Sequence, residues 1–282
     1  MNNVFNIQRF ARVMGKDFHE NWKSYLLQIL ALFGVMAAIL IYQSISYYPD
    51  VFDSKYESMF DEKLLTSACF MFLIYIAIQA ATLMFPMQSK TGRISYLSLP
   101  ASHLEKFLSR WLIVTVGSVV IFFAALWLAD LLRVAIFSFR YPEGNVHMID
   151  FSRLIYPGED YSSRHHVFPH IQVFFICLSL AYLFQSLCVL GATFWTKNSI
   201  IKTIAAIIVV IGLYVLVCRW AILGFYDSFD EFGNVLGSLV NKSEISEQRA
   251  FSGSIIVLSF FVVLNWVLAF FRFRESEIIK RL

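Results

Sequence analysis

The chain has 282 residues, of which 58% are hydrophobic and only 15% charged, and its formal net charge is +3. An ordinary soluble domain carries roughly 25% charged residues, and a chain this apolar would leave too much hydrocarbon in water. These figures exclude a soluble globular protein, a disordered chain and a nucleic-acid binder, whereas 29 Phe and 6 Trp fit a chain solvated by lipid.

Residues 1–23 come first. Ile7, Phe10, Met14 and Phe18 recur at helical spacing, with Arg9, Arg12 and Lys16 on the other face. The pattern predicts an amphipathic helix lying in the membrane interface; the alternative is a plain helical extension of the first span. The segment also carries Asp17, Glu20 and Lys23, and the apolar run after it is too long for a signal peptide. Residues 24–48, which hold no charge, read as an uncleaved signal anchor.

A helix needs about 20 apolar residues to cross the hydrocarbon core of a bilayer. Six stretches meet or approach this: 24–48, 64–89, 111–132, 167–196, 203–226 and 250–271. They are continuous instead of alternating, which favours helices over barrel strands. All six prolines fall at span ends or in loops. The expected fold is therefore all-α and polytopic, with six transmembrane helices, an N-terminal interfacial helix and a basic tail over 272–282.

Orientation follows from charge. The N-terminus, the loops after the second and fourth spans, and the C-terminus together hold fourteen of the 23 basic residues but only five of the 20 acidic ones. The positive-inside rule puts that set, and both termini, in the cytoplasm.

The loop between the second and third spans is the most distinctive part of that set. It reads MQSKTGRISYLSLPASHLEKFLSR over 87–110. Gly92 permits a turn. Ile94, Tyr96, Leu97 and Leu99 put apolar groups among basic ones, the mixture expected of a docking surface. Ser102, following Pro100, with Glu105 three residues on, has capping-box spacing and marks a helix start. The alternative is a connector that folds on its own membrane face.

The longest loop on the other side, roughly 139–168, holds His147, Asp150, Glu159, Asp160, His165 and His166, with His170 just beyond. These are metal-ligand types, but Pro169 keeps His166 and His170 from forming an i,i+4 helical pair. The loop reads as a polar surface. Cys69, Cys177, Cys188 and Cys218 all lie in apolar runs without a CxxC spacing, so they read as small hydrophobes. Gly233 and Gly237 form a GxxxG outside the spans, where it is a weak motif. Asp130 and Arg133, at i,i+3 on the outer end of the third span, are the candidate intramembrane ion pair. Gln28, Gln79, Thr82, Thr115, Ser118, Gln185 and Asn265 read as helix–helix hydrogen-bonding groups. The chain has no P-loop, no HExxH and no GxSxG, so no catalytic, cofactor or metal residues are assigned.

The six spans, the basic N-terminus and the segment KTGRISYLSLPASHLEKF (90–107) resemble the permease subunits of ABC-2-type transporters. The likeness is to short bacterial permeases of the Bacteroidetes type, where a YL-x-LPAS-x-x-EKF stretch lies between spans two and three. Here it is Tyr96 to Phe107, and about 18 residues carry the likeness. The resemblance implies a bacterial inner-membrane protein with an elbow helix near its N-terminus. It implies that ATP is bound and hydrolysed by a separate ATP-binding cassette subunit, so that this chain is not an enzyme. That subunit would dock at Lys90, Gly92, Arg93, Tyr96, Leu97, Leu99, Pro100, Ser102, Glu105 and Lys106. It also implies a second permease subunit, identical or related, and an export role. The competing reading is a membrane scaffold or regulatory subunit without a path of its own. An intramembrane enzyme built on the His-rich outer loop is the third class.

Overall fold

A computed structural model describes residues 5–47, 54–142, 146–156, 166–195, 198–225 and 247–278. Its helices are α1 (Ile7–Tyr47), α2 (Ser54–Ala81), α3 (Lys90–Leu97), α4 (His103–Leu112), α5 (Ser118–Arg140), α6 (Ile171–Phe194), α7 (Ser199–Phe225) and α8 (Glu247–Ile278). Among the described residues there is no strand, only an isolated bridge between Ile155 and Phe168. Among the described residues, six helical stretches are long and apolar enough to cross a membrane. The chain is an all-α, multi-pass membrane protein.

The observed helices follow the expected spans, with informative departures. α1 is one unbroken helix of 41 residues. At 1.5 Å per residue it is about 60 Å long, twice the ~30 Å hydrocarbon core. The separate interfacial helix expected over 1–23 is thus replaced by the alternative, an extension of the first span. Nothing in the sequence interrupts it. It has no proline, and Gly15 and Gly34 stand in open space. α2 ends at Ala81 and the chain turns through a 3-10 segment, Phe85–Met87, with Pro86 in its first turn. α4 and α5 form one continuous stretch, His103–Arg140, joined by a π turn at Ile113–Gly117. α8 runs on through the expected tail to Ile278, and 279–282 lie outside the described residues.

Two buried clusters hold the helices together. One joins α1, α2 and α5 through Met36, Leu40, Leu64, Tyr75, Phe122 and Leu126. The other joins the end of α2 to α4, α6 and α8 through Leu83, Met87, Phe107, Val189, Ala192 and Phe273. Small residues set the close approaches, as expected where lipid is no less apolar than the helices. A methyl group added at Gly191 would collide with Thr203, so α6 and α7 meet there nearly backbone to side chain. Gln28, Gln79 and Asn265 pair across helices, whereas Thr82 bonds back to the Gln79 carbonyl and the buried Gln185 Oε1 makes no hydrogen bond among the described residues. Gln79 Nε2 donates to Gln28 Oε1 at 3.1 Å, and Asn265 Nδ2 donates to Ser186 Oγ at 3.0 Å. Thr115 and Ser118 instead bond back to their own helix, to the carbonyls of Trp111 and Thr115. Ser199 and Thr203 of α7 are buried, whereas Ile208, Val209, Val210 and Ile211 are all exposed, a surface suited to hydrocarbon.

Candidate functional site

The expected docking loop is a helical hairpin of α3 and α4. The sequence places apolar groups on a loop here; in the structure Ile94, Tyr96 and Leu97 belong to a short helix, and Leu99 lies just beyond it. Ser89 caps α3, its Oγ accepting from the Gly92 N–H at 3.0 Å. Gly92 is required by proximity. A Cβ there would lie 2.5 Å from the Pro86 carbonyl oxygen and 2.8 Å from Ser89 Oγ. α4 begins with the expected capping box. The Glu105 N–H donates to Ser102 Oγ at 3.2 Å, and the Ser102 N–H donates back to Glu105 Oε2 at 2.9 Å.

The two short helices are cross-tied. Lys106 Nζ donates to the Leu97 carbonyl at 2.9 Å, and the Tyr96 hydroxyl donates to the Lys106 carbonyl at 2.8 Å. Arg93 Nη2 donates to the Met87 carbonyl at 3.3 Å. α8 supplies the third wall. Trp111 meets Trp266 edge-on with centroids 4.9 Å apart, and Phe107 meets Phe270 and Phe273 at 5.6 and 5.9 Å.

Two ion pairs latch this hairpin to the long N-terminal extension of α1. Glu105 is fully buried, and its Oε1 accepts from the Asn6 N–H at 2.6 Å and from Arg9 Nη2 at 3.0 Å and Nε at 3.3 Å. Arg110 Nη1 donates to both oxygens of Asp17, at 2.9 and 2.8 Å, and to the Tyr25 hydroxyl at 3.1 Å. Tyr25 in turn donates to Asp17 Oδ2 at 2.7 Å, and Asn21 Nδ2 donates to Asp17 Oδ1 at 3.1 Å. Both sides of the Asp17–Arg110 pair are nearly buried. A cleft of about 200 Å³ lies between α1 and the hairpin, with Lys16, Glu20, Pro86, Ser89, Ser95 and Leu99 among its walls.

The ten residues expected to dock a partner therefore divide. Pro100 is exposed, and Gly92, Arg93, Tyr96, Leu97, Leu99 and Ser102 are half-buried. Lys90 opens α3, with its side chain outside the description. Glu105 and Lys106 face inward and hold the hairpin together, so neither presents its charge outward as expected. The outward apolar group is Ile94, 67% exposed. Asn6, Arg9, Asp17, Tyr25 and Arg110 belong to the site, and sequence reasoning did not bring them together. No local pattern does so: Arg9 and Glu105 are 96 residues apart, and Asp17 and Arg110 are 93 apart.

A second polar cluster lies at the opposite end of the helices. Asp130 and Arg133 pair as expected, Arg133 Nε donating to Asp130 Oδ1 at 2.7 Å. Both are buried, so they do not reach out to the boundary. Their other contacts go to the loop after α5. Arg133 Nη2 donates to the His147 carbonyl at 2.8 Å, and the Ile149 N–H donates to Asp130 Oδ2 at 2.8 Å. His147 Nε2 lies 3.2 Å from Asp61 Oδ2 on α2, and Arg153 Nε lies 3.7 Å from the same atom. The exposed Asp150 accepts from the Ser152 N–H and hydroxyl, which hold its carboxyl below the usual range. Among the described residues no three side chains are grouped to hold a metal ion. Glu159, Asp160 and His165 lie outside them, as do Gly233 and Gly237.

Comparison of the chain with protein-family models, with curated proteins and with solved structures found no match.

Proposed function

We propose that this chain is the membrane-spanning permease subunit of an ATP-binding cassette transporter of the ABC-2 type, acting as an exporter in a bacterial inner membrane. A separate ATPase subunit docks on the α3–α4 hairpin. A second permease subunit, identical or related, completes the path. The hairpin and both termini lie in the cytoplasm in this reading, which rests on the basic bias of those segments.

The observation that carries the reading is the hairpin. Outward it offers Ile94 and Pro100. Inward it is tied to α1 by two ion pairs and to α8 by edge-on aromatic contacts. It then runs without a break through the π turn into the third span. A load applied to its outer face reaches three membrane helices at once. ATP-driven closure of the ATPases gives the permease two states of different affinity for its partner, and this difference shifts its conformation.

The test is a mild-detergent pull-down of the tagged chain with mass spectrometry. An ATP-binding cassette protein is expected in near-stoichiometric amount, and Ile94→Asp or Leu99→Asp is expected to lose it while the chain still inserts. Recovery of the chain alone, repeated in lipid nanodiscs with ATP, would overturn the reading. Recovery of the ATPase without any ATP-dependent transport in vesicles would assign the chain to the scaffold or regulatory class.

A further inference from the structure

An apolar cavity of about 370 Å³ separates α2, α5 and α6 at the end of the molecule away from the hairpin. Three independent helices place it at one depth. On α2, Leu65 to Leu73 lie four to twelve residues beyond the buried Asp61. On α5, Val119 to Leu126 lie four to eleven residues before Asp130. On α6, Phe174 to Tyr182 lie four to twelve residues beyond His170. At 1.5 Å per residue, each set covers roughly 6–18 Å below the polar layer. One leaflet's share of the hydrocarbon core is about 15 Å thick, so a bilayer surface near the polar layer puts the cavity within one leaflet.

Phe151, Leu154 and Phe168 line its outer end. The two loop segments that carry them are joined by backbone bonds: Tyr156 N–H to the Phe168 carbonyl at 3.0 Å, Phe168 N–H to the Leu154 carbonyl at 3.0 Å, and Val167 N–H to the Arg153 carbonyl at 3.1 Å. Among the described residues of the lining, only Cys69, Cys177 and Tyr182 bring side-chain heteroatoms.

The dimensions select the occupant. Buried water needs two to four polar partners, which this lining lacks. A helix from a partner is about 10–12 Å across, too wide for the volume. A methylene group takes roughly the 30 Å³ of a water molecule, so the volume matches about twelve of them, the scale of one acyl chain. We infer that the cavity between α2, α5 and α6 is a binding site for one hydrocarbon chain of a bilayer lipid. The chain enters sideways from the leaflet, between the helices, with Phe151, Leu154 and Phe168 standing over its outer end. This inference stands apart from the transport proposal and uses none of the hairpin's residues.

The test uses the full chain in vesicles of phosphatidylethanolamine and phosphatidylglycerol, doped with a phospholipid carrying a diazirine at the end of one acyl chain. After photolysis, adducts are mapped by mass spectrometry. They are expected to concentrate on residues 65–73, 119–126 and 174–182, and to saturate at one lipid per chain as the probe is raised. Ala181→Phe, and separately Cys177→Trp, fill the space and are expected to cut those adducts about tenfold, a 1.4 kcal/mol loss of occupancy. Adducts on α7 around Ile208 and Val210, which are exposed and stand outside the cavity lining, report that a variant has folded and are expected to stay unchanged. Labelling of the cavity segments no denser than that of α7, or rising with probe without saturation in the wild-type chain, overturns the inference. So does full cavity labelling in a variant whose α7 labelling is normal.

Discussion

Replacing Glu105 with Ala should release the N-terminal end of α1 from the hairpin. The side chain is fully buried and accepts four hydrogen bonds, from Ser102, Asn6 and twice from Arg9. Loss of the capping box costs about 1 kcal/mol. Charge-assisted bonds are each worth about 1.5–3 kcal/mol. Arg9 is 38% exposed, which sets its share at the lower end of that range. The local cost is then about 2–4 kcal/mol, and at 1.4 kcal/mol per tenfold this lowers the protection of the affected amides by roughly 30- to 1,000-fold. Hydrogen exchange over residues 7–13 and 102–106 reads this directly. Glu105→Gln keeps the shape and one acceptor oxygen, so its effect should be smaller. Arg9→Ala should be milder still, and the double variant less than additive, because both remove one interaction. If residues 7–13 exchange equally in the wild-type chain and in Glu105→Ala, the extension is held by its own helical bonds and the latch is not a latch.

Arg110→Met should cost about 3–5 kcal/mol, because Asp17 keeps a nearly buried charge without its guanidinium, and adding Asp17→Asn should recover part of the loss in thermal unfolding. Gly92→Ala forces α3 away from Pro86, at about 1–3 kcal/mol; faster tryptic cleavage at Arg93 is the expected readout. Arg133→Met strands the buried Asp130 and frees the His147 carbonyl, so cleavage at Arg153 should quicken while the hairpin remains protected.

The spans were legible because hydropathy is summed over about 20 residues, a signal no single side chain can spoil. The capping box at Ser102 and the Asp130–Arg133 pair were legible because both are local, three residues apart. α3 was hidden by its length. Eight residues carry too few turns to show a period, and Gly92 in its first turn argues for a bend. The continuity of α1 was hidden for the opposite reason. Its amphipathic first half and apolar second half look like two elements, yet nothing between them stops a helix. The latches were not legible at all. Arg9 and Arg110 each read as part of a basic cytoplasmic face, the ordinary fate of an arginine there. Only the fold brings Glu105 and Asp17 to them, and so turns two surface charges into internal fasteners.

The π turn at Ile113–Gly117 has a further consequence for phase. A π turn carries one more residue than an α turn, and each residue of a helix advances by about 100°. α4 is therefore rotated about the common axis by that angle, relative to an uninterrupted helix hanging from α5. With the extra residue, α5 can aim Phe122 and Leu126 into the bundle while α4 aims Glu105 and Arg110 at α1. Shortening the turn by one residue, for example the exposed Val116, would make a more regular helix. It would also swing both latch residues a quarter-turn or more off their partners. The irregular turn is thus a spline: it keys the angular setting of the hairpin to that of the membrane helix beyond it.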